Sequence, residues 1–177
     1  MNRQKVCALD RKALGRVTGA LLEELRGRGG YTLGVHFVGA REMTRLNEKY
    51  LRHEGSTDVI TFDYTPSRRE MERLGLKEEY SKDKLLYWWR PSLNGEIFIC
   101  TDEALVQARR FGVSWQMETV RYLIHGLLHL DGCDDSKPAL RREMKKRENK
   151  LLKELSRRFD LGKLGQLKKT RGADERK

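Results

Sequence analysis

The sequence predicts one α/β domain. Four stretches place apolar residues at helical spacing, a fifth is bounded by a helix cap and a glycine stop, and short β-branched or aromatic stretches are interspersed with them. The length, 177 residues, gives room for one real core and too little for two comfortable ones.

The first element is a short strand near Val6. From Asp10 to Arg26, Leu14, Val17, Leu21, Leu22 and Leu25 recur at helical spacing. Asp10 is placed to accept from the first free amides, and Gly27, Gly29 and Gly30 stop the helix. Tyr31 to Val38 alternates β-branched and aromatic residues, as a strand does, and His36 within it reads as a hydrogen-bonded structural residue rather than a ligand. Ala40 to Tyr50 returns to a helix with Met43, Leu46 and Tyr50 on one face. Thr57 to Tyr64 and Asn94 to Cys100 follow as strands bounded by turn formers.

Between those strands lies a charged insertion, residues 65–93, closing on Tyr87, Trp88, Trp89 and Arg90. These aromatics read first as apolar anchors for the loop and second as platforms for unpaired bases. Thr101 is placed as the cap of a helix reaching Phe111, where Gly112 ends it. Ser114 caps the next helix, Trp115 to Leu130, whose Val120, Leu123, Ile124, Leu127 and Leu128 suit a central buried position. Pro138 opens the last helix, which runs to Arg158 with Leu140, Met144, Leu151, Leu152 and Leu155 inward. The domain is therefore taken as residues 1–158. Residues 159–177 are read as a basic tail whose composition suits disorder and contact with RNA.

The 37 Lys and Arg against 26 Asp and Glu leave a charge of +11, which favours polyanionic partners such as nucleic acid, an anionic membrane or the ribosome. Cys7, Cys100 and Cys133 are odd in number and widely spaced, which excludes a disulfide framework and a Cys-x-x-Cys zinc cluster. The N-terminal residues carry charges throughout, and no stretch approaches the roughly 20 apolar residues of a membrane span. A soluble, cytoplasmic protein is expected.

The chemistry is concentrated in HGLLHLDGCDD. His125 and His129 lie four residues apart, so both imidazoles project from one helix face and can grip one ion. Gly132 can take the left-handed conformation that turns the chain back and brings Asp135 to the same ion. Two histidines and a carboxylate suit one zinc ion and leave a coordination position open. A zinc peptidase of the His-Glu-x-x-His type needs a glutamate after its first histidine, and this chain has Gly126 there. That absence favours RNA, whose own 2′-hydroxyl can attack the neighbouring phosphate while the metal stabilises developing charge.

These residues, with LNEKY at Leu46–Tyr50, TDVITF at Thr57–Phe62, GEIFIC at Gly95–Cys100, and Met144 and Glu148 downstream, resemble the YbeY family of bacterial endoribonucleases. The resemblance implies a small mixed four-stranded sheet packed with about five helices, and a zinc site at the end of the central helix. It further implies a single-strand-specific endoribonuclease acting in ribosomal RNA maturation at the 3′ end of the small-subunit RNA, and in ribosome quality control. Its partners would be ribosomal RNA and the small subunit. Many members carry a third histidine where this chain has Asp135. A basic residue that often follows the tyrosine of LNEKY is Leu51 here, and the neighbouring Arg52 is the candidate phosphate contact. Asp134, beside the third ligand, is the candidate proton acceptor. Two rival readings stand beside this one: a metallohydrolase of peptides or small molecules, and a non-catalytic ribosome-docking module with a structural zinc.

Overall fold

The computed structural model describes residues 1–27, 30–66, 68–73 and 93–168. The core sheet has the order β2-β4-β3, with β2 (Tyr31–Val38) parallel to β4 (Leu93–Cys100) and β3 (Val59–Asp63) antiparallel to it. The parallel pair begins with Tyr31 opposite Leu93 and ends with Val38 opposite Cys100. A second, two-stranded sheet pairs β1 (Cys7–Leu9) with β5 (Gly165–Leu167).

The five expected helices are α1 (Arg11–Arg26), α2 (Ala40–Leu46), α4 (Thr101–Phe111), α5 (Trp115–Leu130) and α6 (Pro138–Arg158). A sixth, α3 (Arg68–Arg73), lies in the insertion. The aromatic cluster Tyr87 to Trp89 lies outside the described residues.

The strand expected near Val6 is present, but it does not complete a four-stranded sheet. Gln4 is the reason. Its buried side chain accepts from the amides of Val6 and Cys7 and donates to the Asn2 side chain and the Cys7 carbonyl. That local turn leaves only an isolated bridge, Asn2 to Phe37, on the main sheet and directs β1 toward β5.

Residues 161–167, assigned from sequence to the tail, pack on the domain. Asp10 donates its amide to the Leu164 carbonyl, while Leu161 and Leu164 are buried. Burial of these two leucines is the apolar gain that holds the segment down.

Helix α5 lies at the centre. It packs on β3 and β4 on one side and on α4 and α6 on the others, with Val120, Leu123, Ile124, Leu127 and Leu128 buried. Gly126 makes the approach to the sheet possible, because a Cβ there would sit 2.8 Å from Ile97 Cγ2 and 3.1 Å from Thr61 Oγ1. The position read from sequence as a missing general base is thus a packing position against β4.

Asp10 caps α1 by accepting from Lys12 and Ala13, and Ser114 caps α5 by accepting from Met117. Thr101 does not cap α4. It is the first helical residue, and its buried hydroxyl donates to the Val38 carbonyl across the sheet, 3.2 Å away. His36 is structural, as expected: its Nε2 lies 2.9 Å from Glu96, and its ring stacks on Phe98.

Two apolar residues expected inside are not. Leu140 is exposed because α6 meets the core only from Met144 onward. Tyr50 sits on a π-turn, Asn47–Leu51, that rotates it off the face of α2, and it rests edge-on against Phe62 half in solvent.

Candidate metal centre

The C-terminal end of α5 is closed by backbone bonds that reverse the chain. The Gly132 amide donates to the His129 carbonyl and the Cys133 amide to that of Leu128, with Gly132 at φ 87°. This is the left-handed glycine stop expected from the sequence. Helix α6 braces the reversal. Arg147 pairs with Asp131 at 3.0 Å and donates to the Cys133 sulfur, while Arg141 donates to the Asp135 carbonyl at 3.2 Å.

The turn brings Asp135 over the histidine pair. His125 Nε2 and His129 Nε2 are 3.1 Å apart, and each is 3.9 Å from a carboxylate oxygen of Asp135. Ligand atoms about 2.1 Å from one zinc-sized ion in tetrahedral array lie roughly 3.4 Å from each other, so the three donors fit one ion.

The outer nitrogens decide the tautomers. His129 Nδ1 is 3.1 Å from the Cys133 carbonyl, which can only accept. His125 Nδ1 is 3.4 Å from the Glu148 carboxylate. Both Nδ1 atoms therefore carry the proton, and both Nε2 lone pairs point into the same space, an arrangement that calls for a cation between them.

Glu148 is the residue the sequence reading missed. The sequence shows it only as one residue of a motif. Its side chain is buried, yet it accepts from Arg121 and Lys145, both at 2.7 Å, as well as facing His125. Burial pushes its pKa up, but the hydrogen bonds from His125, Lys145 and Arg121 outweigh that and pull it down to about 2. The signal was present: Glu148 falls on the inward stripe of α6, between Met144 and Leu151, where a charge must have partners.

His125 and Asp135 open onto a cleft of about 850 Å³. Arg141, Arg142 and Lys145 line it on the α6 side, and Glu103, Gln107 and Phe111 on the α4 side. His125, His129 and Asp135 are each about one-third exposed at the side chain, as a site that admits a substrate must be.

The two other residues singled out in the sequence lie outside this ligand set. Asp134 accepts from the Ser136 hydroxyl at 2.7 Å and its amide at 2.9 Å, and these bonds hold its carboxyl below the usual range. It is therefore a weaker base than an ordinary carboxylate. Arg52 is exposed in a left-handed conformation at the end of the π-turn and does not line the cleft.

Residues 1–156 match the family described as Endoribonuclease YbeY. The chain belongs to the YbeY family. The YbeY endoribonuclease of Chlorobium luteolum is 32% identical over 131 residues, covering 74% of this chain and 79% of that protein. That of Chlorobium phaeobacteroides is 35% identical over 119 residues, covering 67% and 70%. The solution structure of a Thermotoga maritima protein superposes with a TM-score of 0.53 at 25% identity, covering 89% of this chain and 91% of the other. The fold places the segments that carry the YbeY resemblance. LNEKY carries the π-turn, where buried Asn47 donates to the Gly55 carbonyl; TDVITF and GEIFIC are the strands under α5. No helix among the described residues is long and apolar enough to cross a membrane.

Proposed function

We propose that this chain is a zinc-dependent endoribonuclease that cuts single-stranded ribosomal RNA. The observation that carries the reading is the convergence of His125 Nε2, His129 Nε2 and one Asp135 carboxylate at the mouth of a cleft flanked by Arg141, Arg142 and Lys145. Bound zinc would supply Lewis acidity toward phosphoryl oxygens.

The chain's own residues do the rest. Cys133 and Glu148 hold the imidazoles in the ligating tautomer, and the three cations of α6 offer a path for the RNA backbone. The attacking group is the substrate's own 2′-hydroxyl, so no glutamate is required at position 126. Three protein ligands favour a catalytic over a closed structural ion. Arg52 as a phosphate contact and Asp134 as a proton acceptor keep secondary roles in this reading, since neither lines the cleft.

Membership in the YbeY family supports small-subunit RNA as the target, with maturation of its 3′ end and ribosome quality control in the cytoplasm as the setting. Incubating a precursor ribosomal RNA fragment with the purified protein, beside an identically prepared His129→Ala variant, tests the proposal. Cleavage by the parent alone is the expected result. Equal cleavage by both, or none with zinc bound, would instead favour a ribosome-docking module.

A further inference from the structure

The α4 wall of the cleft carries three side chains that neither the ligand set nor the core uses. Glu103, Gln107 and Phe111 recur every four residues, so they share one face of α4, and all three line the same cleft as His125 and Asp135. The alternate face holds α4 to the protein through the buried Ala104 and Ala108. Glu103 and Gln107 are half-buried, and among the described residues neither side chain has a hydrogen-bond or salt-bridge partner. Phe111 is 62% exposed, which contributes little to the core. The Arg110 guanidinium lies 5.5 Å from its ring centroid and can cover only one of its two faces.

An exposed ring beside two unpaired polar groups, in a cleft with cations on its opposite wall, matches what an unstacked nucleobase needs. The ring offers a stacking platform, the cations hold the flanking phosphates, and the polar pair meets the base edge. We propose that α4 forms a nucleobase subsite in which Phe111 stacks on the base while Glu103 and Gln107 read its Watson–Crick edge, with guanine preferred. The inference rests on RNA being the substrate.

The preference follows from the acceptor pattern. A carboxylate presents two oxygens side by side, and guanine presents two donors side by side, N1–H and the N2 amino group. The Gln107 amide, one turn along, can donate to guanine O6. Uracil offers one donor between two carbonyl oxygens, and those oxygens would face the Glu103 carboxylate with no proton between them.

The test measures fluorescence anisotropy of the zinc-loaded full chain with four labelled eight-nucleotide RNAs. They are uridine throughout except for one central G, A, C or U, and they carry 2′-O-methyl groups so that no cleavage occurs. The central G should bind at least about tenfold tighter than the central U. Glu103→Gln should level the four affinities. Phe111→Ala should weaken the G, A and C RNAs several-fold, and Phe111→Tyr should restore them. Equal affinities in the parent, absence of binding, or a guanine preference that survives in Glu103→Gln would overturn the subsite. The same RNAs without methyl groups separate the two readings. Cleavage without base preference would keep the nuclease and remove the subsite; base preference without cleavage would do the reverse.

Discussion

A carboxylate on the apolar stripe of α6 stays ionised only because Arg121, Lys145 and His125 surround it, and through His125 it reaches the proposed metal site. Glu148→Gln keeps the size and removes the charge that fixes the His125 tautomer. Zinc affinity should fall about 10- to 100-fold, read by competition with a chelating dye, while the helical circular dichroism is unchanged. Asp135→Ala removes the proposed third ligand outright. The purified variant should lose most of its zinc by elemental analysis with the fold intact, and unchanged metal stoichiometry would remove Asp135 from the site. The two variants separate a residue that binds from one that positions.

The next scale is the seating of α5 on the sheet. Gly126 faces Ile97 and Thr61 so closely that any Cβ must displace β4 or lift the helix. Gly126→Ala should destabilise the protein by about 1–3 kcal/mol in urea unfolding, as overpacking does. Because His125 and His129 ride on the same helix, zinc affinity should fall with it. A Gly126→Ala protein as stable as the parent would mean that α5 has room to move. This packing also explains why the peptidase-type glutamate is missing here: position 126 faces the sheet, while 125 and 129 face Asp135.

For the whole molecule, the C-terminal segment is the informative part. Leu161 and Leu164 fill the space beside α1 and α5, and β5 pairs with β1. A chain ended at Arg158 exposes the sites of both leucines and leaves β1 unpaired. At about 1.5–3 kcal/mol for each buried leucine, truncation should cost at least about 3 kcal/mol by urea unfolding. A truncated chain with the parent's midpoint and slope would mean that residues 161–167 contribute nothing to the fold.

The sequence by itself determined whatever depends on neighbours along the chain. The helices of α1, α5 and α6 follow from apolar spacing, the caps at Asp10 and Ser114 from side chains that reach the first free amides, and the turn at Gly132 from its lack of a Cβ. The His125–His129 pair was legible for the same reason, since four residues on a helix is a fixed geometry. Tertiary structure decided what depends on residues distant in sequence. Periodicity could not show that Glu148, 23 residues beyond His125, hydrogen-bonds to it, nor that the strand near Val6 pairs with residues 165–167 instead of extending the main sheet. Nor could it show that Thr101 donates across to β2 instead of capping its helix, or that Gly126 is a contact surface. In each case the partner is chosen by which surfaces the folded chain brings within hydrogen-bond or van der Waals reach, and that is a property of packing in three dimensions.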